Sequence, residues 1–122
     1  MGTKKVKRPA KPEPVKRLFA RSGNICAFRG CGCILYGDDG TSEGQICHIE
    51  GLKKGSARHN PDQSKKKRNA YENMIALCKK HHKEVDDDPE KYTVAYLKEM
   101  KQEHEERVAA LLEELSTGKA KS

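Results

Sequence analysis

The chain has 122 residues, of which 34% are hydrophobic and 35% charged, with no Trp and only two Phe. An ordinary globular chain is about 45–50% apolar with Gly counted, so this core must be small, and a bound metal would help it form. Twenty-five Lys and Arg against eighteen Asp and Glu leave a net charge of +7, which suits a polyanionic partner. No apolar run approaches the ~20 residues that cross a bilayer, and no apolar stretch follows the basic N-terminus as it would in a signal peptide. We therefore expect no membrane association and a cytoplasmic, reducing location. There the five Cys, an odd number, would serve a metal rather than disulfides.

Residues 1–13 carry Lys4, Lys5, Lys7, Arg8 and Lys11 beside Pro9 and Pro12, and read as a basic disordered arm. Pro14 suits the first position of a helix. Val15, Leu18, Phe19 and Ser22 share one face of that helix, and Gly23 ends it. From Cys26 to Cys33 the chain holds three Cys among Gly30 and Gly32, and glycine's tolerance of positive φ lets a backbone wrap around an ion. Farther on, Cys78 and His81 have two residues between them, the spacing of half a zinc site. Cys26 and Cys31 with Cys78 and His81 would complete a Cys3His tetrahedron around a structural Zn2+, and Cys33 could take the place of Cys31.

Ile34 to Tyr36 reads as the start of a strand, with a turn at residues 37–40. Gln45 to Ile49, bounded by Gly44 and Gly51, is a clearer strand, with Ile46 and His48 on one face and Cys47 and Ile49 on the other. Residues 52–70 form a polar loop with Ser64 placed to cap a single helical turn. A loop this long in a small domain is unusual unless it is functional. Its Lys53, Lys54, Arg58, Lys65, Lys66, Lys67 and Arg68, set against the single acid Asp62, are candidate phosphate contacts.

Met74 to Leu77 suits a strand, and Lys79 to Asp88 a short helix. His82 follows His81 directly, so its side chain must point elsewhere. It lies four residues before Asp86, on the same helix face, which makes an open half-site for a divalent cation. From Pro89 to Leu115 runs the longest helix, with a stripe of Val94, Leu97, Met100, His104, Val108, Leu111 and Leu115. That stripe reads as core or as a docking face, and a homodimer could form through it. The chain thus divides into the arm (1–13), a metal-bearing domain (14–90), and an amphipathic helix with a polar tail (91–122).

Taken in order, these parts resemble the HNH endonuclease family, whose site is a ββα-metal finger. The resemblance is carried by Ile46-Cys47-His48-Ile49, by Glu72-Asn73-Met74-Ile75, and by Leu77-Cys78 followed by His81-His82, within Cys26 to about Asp88. With Arg58-His59-Asn60-Pro61-Asp62 and the acidic run after the helix, the chain is similar to the HNH modules of bacterial anti-phage effectors. In those proteins the nuclease works with a sensor of cyclic-oligonucleotide signals, which the resemblance makes an expected fused or separate partner.

The resemblance implies an α+β fold: a small zinc-stapled ββα-metal domain with flanking N- and C-terminal helices. It implies metal-dependent hydrolysis of phosphodiester bonds in double-stranded DNA. His48 would be the general base, Asn73 the residue pinning the loop, and His82 a ligand of a catalytic Mg2+ or another divalent ion, with Asp86 as a second ligand. One departure stands out. Many relatives carry Asp or His just before the base, whereas Cys47 is a soft donor ill-suited to Mg2+. Either Cys47 belongs to the core and the ion has fewer protein ligands, or the ion is a softer one. A different class of function, a non-catalytic zinc-stabilised nucleic-acid-binding module, would need the Gly-rich knuckle and the basic loop. It would have no use for His48 and His82 together.

Overall fold

The structure, a computed structural model, describes residues 12–118. The basic arm expected over residues 1–13 lies outside them, except for its last two residues, which open the first helix. Helix α1 spans Pro12–Arg21, so it starts two residues before the Pro14 expected from the sequence. Leu18 is buried on its inner face. Gly23 closes it at φ +65, and a Cβ there would lie 3.0 Å from a Val108 methyl, so both the backbone angle and the packing call for glycine.

The Cys-rich stretch has no regular element. It is held by single bridges pairing Ile25 with Ile34 and Tyr36 with Ser42, in place of the strand read at Ile34. Strand β1 (Gly44–His48) pairs antiparallel with β2 (Met74–Cys78), setting Gly44 against Cys78 and His48 against Met74. The expected alternation holds in β1: Cys47 and Ile49 are buried, while Ile46 and His48 are half-buried. All of β2 is buried, because α1 packs on it and the following helix packs on both strands.

The long loop between the strands contains α2 (Lys65–Arg68), whose first turn is capped by Ser64, its Oγ accepting from Lys67 N–H at 3.2 Å. A 3-10 turn at Tyr71–Asn73 leads into β2. Helix α3 (Lys79–Asp87) follows β2 with no intervening loop. Helix α4 is Val94–Thr117, not a helix from Pro89. Thr93 Oγ1 accepts from Tyr96 N–H at 3.1 Å, so the N-cap falls there, and residues 89–93 form the connection.

The small α+β core gathers Leu18, Leu35, Cys47, Ile49, Ile75, Leu77, Val85, Tyr92, Leu97 and Met100 from both strands, α1, α3, the start of α4 and the segments that join them. The apolar stripe of α4 divides at Val108. Up to there its residues are largely buried, and His104 donates from Nε2 to the Ser22 carbonyl at 2.8 Å. Beyond it, Leu111 and Leu115 are 63% and 67% exposed, so the stripe expected as one continuous core face leaves the body of the fold. Among the described residues no helix is long and apolar enough to cross a membrane.

Truncating the two halves of α4 therefore has unequal effects. Leu97→Ala is expected to cost about 2–5 kcal/mol in urea unfolding, and Leu115→Ala about 0.5 kcal/mol or less. Equal losses would contradict the packing described here.

Candidate functional site

The junction between β2 and α3 builds the first centre. Cys78 ends the strand and is the N-cap of the helix, and His81 is the third residue of α3. The Sγ atoms of Cys26, Cys31 and Cys78 and a ring nitrogen of His81 all lie within 4.8 Å of one another. Cys31 Sγ is 3.9 Å from Cys78 Sγ, and His81 Nδ1 is 3.3 Å from Cys78 Sγ and 3.9 Å from Cys26 Sγ. Ligands about 2.0–2.3 Å from a tetrahedral ion would stand about 3.5–3.8 Å apart, so this cluster could hold a metal such as zinc with little movement.

Its surroundings fit that role. The Cys78 N–H donates to Cys26 Sγ at 3.3 Å, and Phe28 stacks on the His81 ring at 4.0 Å and 3°, fixing its plane. Burial pushes the Cys26 thiol up to about 12. For Cys78 burial acts the same way, but hydrogen bonds from the His81 N–H and from the Cys26 and Cys31 thiols outweigh it and hold the thiol below its ordinary value. Of Cys31 and Cys33, it is Cys31 that belongs to this group of four. Cys33 lies beside it, close enough to Cys78 to interact with its sulfur, with its own Sγ donating to the Ile34 carbonyl at 3.5 Å and its carbonyl accepting from Cys26 N–H at 2.9 Å.

The second centre lies where β1 ends against α3. Ile46, His48, Gly51, Leu52, Lys53, Ser56, Ala57, His82 and Asp86 line one open cleft of about 530 Å3. His48 and His82, far apart in sequence, thus share a wall. Burial and the neighbouring His82 lower the His48 pKa, partly offset by Asp86. His82 Nδ1 is 2.6 Å from Gln45 Oε1, and its Nε2 is 3.1 Å from Asp86 Oδ2. The amide oxygen and the carboxylate are both acceptors. Nδ1 can donate to Gln45, which leaves Nε2 facing Asp86 across a gap that a shared hydrogen or a metal cation would bridge. That donor pair fits a divalent ion. Burial would raise the Asp86 carboxyl, but hydrogen bonds from His82 and Arg58 hold it below its usual range.

Cys47 is buried in the core cluster, and its sulfur lies 3.8 Å from Asp86 Oδ1, in one group with His82 and Asp86. Burial and the Asp86 charge push its thiol up to about 12.

Asn73 is buried and spans the two ends of the long loop. Its Oδ1 accepts from Glu50 N–H at 2.8 Å, while its Nδ2 donates to the Glu50 carbonyl at 3.0 Å and the Arg68 carbonyl at 2.9 Å. Gly51, three residues after the end of β1, has no room for a side chain, since a Cβ would clash with Ser56 Oγ and lie 2.5 Å from the Ala57 carbonyl.

Of the basic side chains assigned to phosphate, Lys53, Lys54, Lys65, Lys66 and Lys67 are exposed. Arg58 is not available: its side chain is 4% exposed, and its guanidinium is spent on internal partners. Arg68 is half-buried with Nε enclosed. Sequence reasoning missed Gln45, Phe28 and the exposed Lys79 and Lys83, which flank His82 on α3. The lysines could have been found from the helix period; Gln45 and Phe28 carry no local signal. Neither a protein-family model nor a curated protein matches this chain.

The cluster geometry sets an expectation for metal content. Cys31→Ser is expected to lose the bound zinc and most of the folding cooperativity, whereas Cys33→Ser retains about one zinc per chain by elemental analysis. Loss of zinc from both variants, or from neither, would contradict the assignment of Cys31.

Proposed function

We propose that the cleft is the active site of a metal-dependent HNH-type endonuclease acting on DNA, and that β1, β2 and α3 are its ββα-metal finger. The carrying observation is that His48 and the His82–Asp86 pair face one cleft while the adjacent His81 joins the Cys cluster. A purely structural zinc module has no need of that second arrangement.

His48 is the general base. Burial and His82 keep it neutral near pH 7, the form that can take a proton from an attacking water. His82 Nε2 and Asp86 hold a divalent ion, Gln45 orienting the ring through Nδ1. When bound, that ion neutralises the phosphate and the leaving oxygen. Asn73 positions rather than reacts: by tying Glu50 to Arg68 it fixes the backbone just beyond His48 and so the aim of the imidazole. Lys53 on the cleft wall, and Lys79 and Lys83 in the groove beside His82, offer cations to a phosphate backbone entering the cleft. The Cys3His centre holds zinc and keeps α3 at the end of β2. A role as the effector module of an anti-phage protein, under a sensor of cyclic-oligonucleotide signals, rests on the sequence resemblance alone.

Plasmid nicking with Mg2+, Mn2+, Ni2+ or chelator tests this reading. The wild type is expected to nick with at least one ion and not with chelator. His48→Ala is expected to lose about 100-fold or more in rate while keeping its zinc and its circular dichroism spectrum. Nicking by His48→Ala at the wild-type rate would remove the base. Salt-sensitive DNA binding by the wild type, with no nicking under any ion, would leave a zinc-stabilised binding module instead.

A further inference from the structure

Arg58 sits in the left-handed region at φ 57, unusual for a residue other than glycine, and its guanidinium is nearly enclosed. Its planar fork reaches three elements at once. Nε donates to the Ile49 carbonyl at 2.7 Å, and Nη2 to the His48 carbonyl at 3.5 Å and to Asp86 Oδ1 at 2.5 Å. Nη1 donates to the carbonyls of Val85 at 3.3 Å and Tyr92 at 3.4 Å. The same group therefore grips the strand end that carries His48, the helix turn that carries Asp86, and the connection to α4.

We propose that Arg58 is a positioning residue for the ion site, an inference that rests on reading the cleft as a nuclease centre. The Asp86 side chain is 40% exposed, so alone it could turn either oxygen, or neither, toward His82. Arg58 takes Oδ1 and leaves Oδ2 facing His82 Nε2 at 3.1 Å. The carboxylate is thereby set as a one-oxygen ligand before any ion arrives. The bonds to the His48 and Ile49 carbonyls couple that setting to the base, so both halves of the site move as one body. Lysine keeps the charge but has no fork, and cannot hold the carboxylate and the carbonyls together.

A double-mutant cycle on Mn2+ affinity separates this role from plain stabilisation. Free Mn2+ is counted by electron paramagnetic resonance on zinc-loaded protein, so no cleavage is needed. Arg58→Lys and Asp86→Ala are each expected to weaken Mn2+ binding about tenfold. The double variant is expected to bind within about twofold of Asp86→Ala, because Arg58 acts through that carboxylate. Wild-type affinity in folded Arg58→Lys, losses that multiply in the double variant, or no measurable Mn2+ binding to the wild type would each overturn the proposal. Should Arg58→Lys lose zinc or helix content, the wild type is titrated with Mg2+ while the Arg58 Nε–H and His82 ring signals are followed by nuclear magnetic resonance. Both are expected to shift and to saturate together. A still Arg58 signal, whether or not His82 shifts, would overturn the proposal. A wild type that never nicks DNA but shows the non-additive cycle would refute the nuclease reading and leave the role of Arg58 standing.

Discussion

The structure depends on how β2 passes into α3 at Cys78. No loop separates them, so the direction of the strand fixes the start of the helix. Successive residues of an α-helix are turned by roughly 100°, so adjacent histidines at its start face different sides. His81 turns back onto Cys26 and Cys78, and His82 turns toward Gln45 near the start of β1 and Asp86 one turn farther along α3. The Cys3His cluster is thus more than a staple for a small core. It ties the Cys-rich stretch to the helix whose next residue faces the cleft, so loosening the cluster would misdirect the residue beside it.

The long loop poses the opposite problem, since its many polar residues contribute little to the core. Two side chains compensate. Asn73 saturates its amide on the backbone at both loop ends, and Arg58 reaches from inside the loop to Cys47, His48, Ile49, Val85, Asp86 and Tyr92. Buried groups satisfied so fully make a rigid connection, and losing either would leave several carbonyls unpaired in the interior. The remaining lysines of the loop stay in solvent. The loop therefore combines an anchored interior with a cationic outer edge, and the anchored part lies directly behind His48.

Local patterns carried much of this to the sequence reader. The alternation of Ile46, Cys47, His48 and Ile49 gave the strand and its faces, Ser64 gave the helical turn, and the Cys-x-x-His-His run gave the two directions of the imidazoles. What stayed hidden depends on contacts across long separations. A basic residue in a polar loop looks like a phosphate contact, and only the fold shows Arg58 turned inward to Asp86. Cys31 and Cys33 have the same composition around them, and only the fold shows that Cys31 is the one grouped with Cys26, Cys78 and His81. The stripe of α4 was legible, but not where the body of the fold ends beneath it, because periodicity says nothing about how far the partner surface extends. The start of α4 is set by Thr93, whose hydroxyl caps the helix, and not by Pro89 four residues earlier.

Anomalous diffraction from crystals of the zinc-loaded protein soaked in Mn2+, with data at both metal edges, tests the division between the two imidazoles most directly. The account predicts a zinc peak among Cys26, Cys31, Cys78 and His81, and a separate manganese peak beside His82 Nε2 and Asp86. A single ion shared by both imidazoles, or manganese absent from the His82 side, would contradict it.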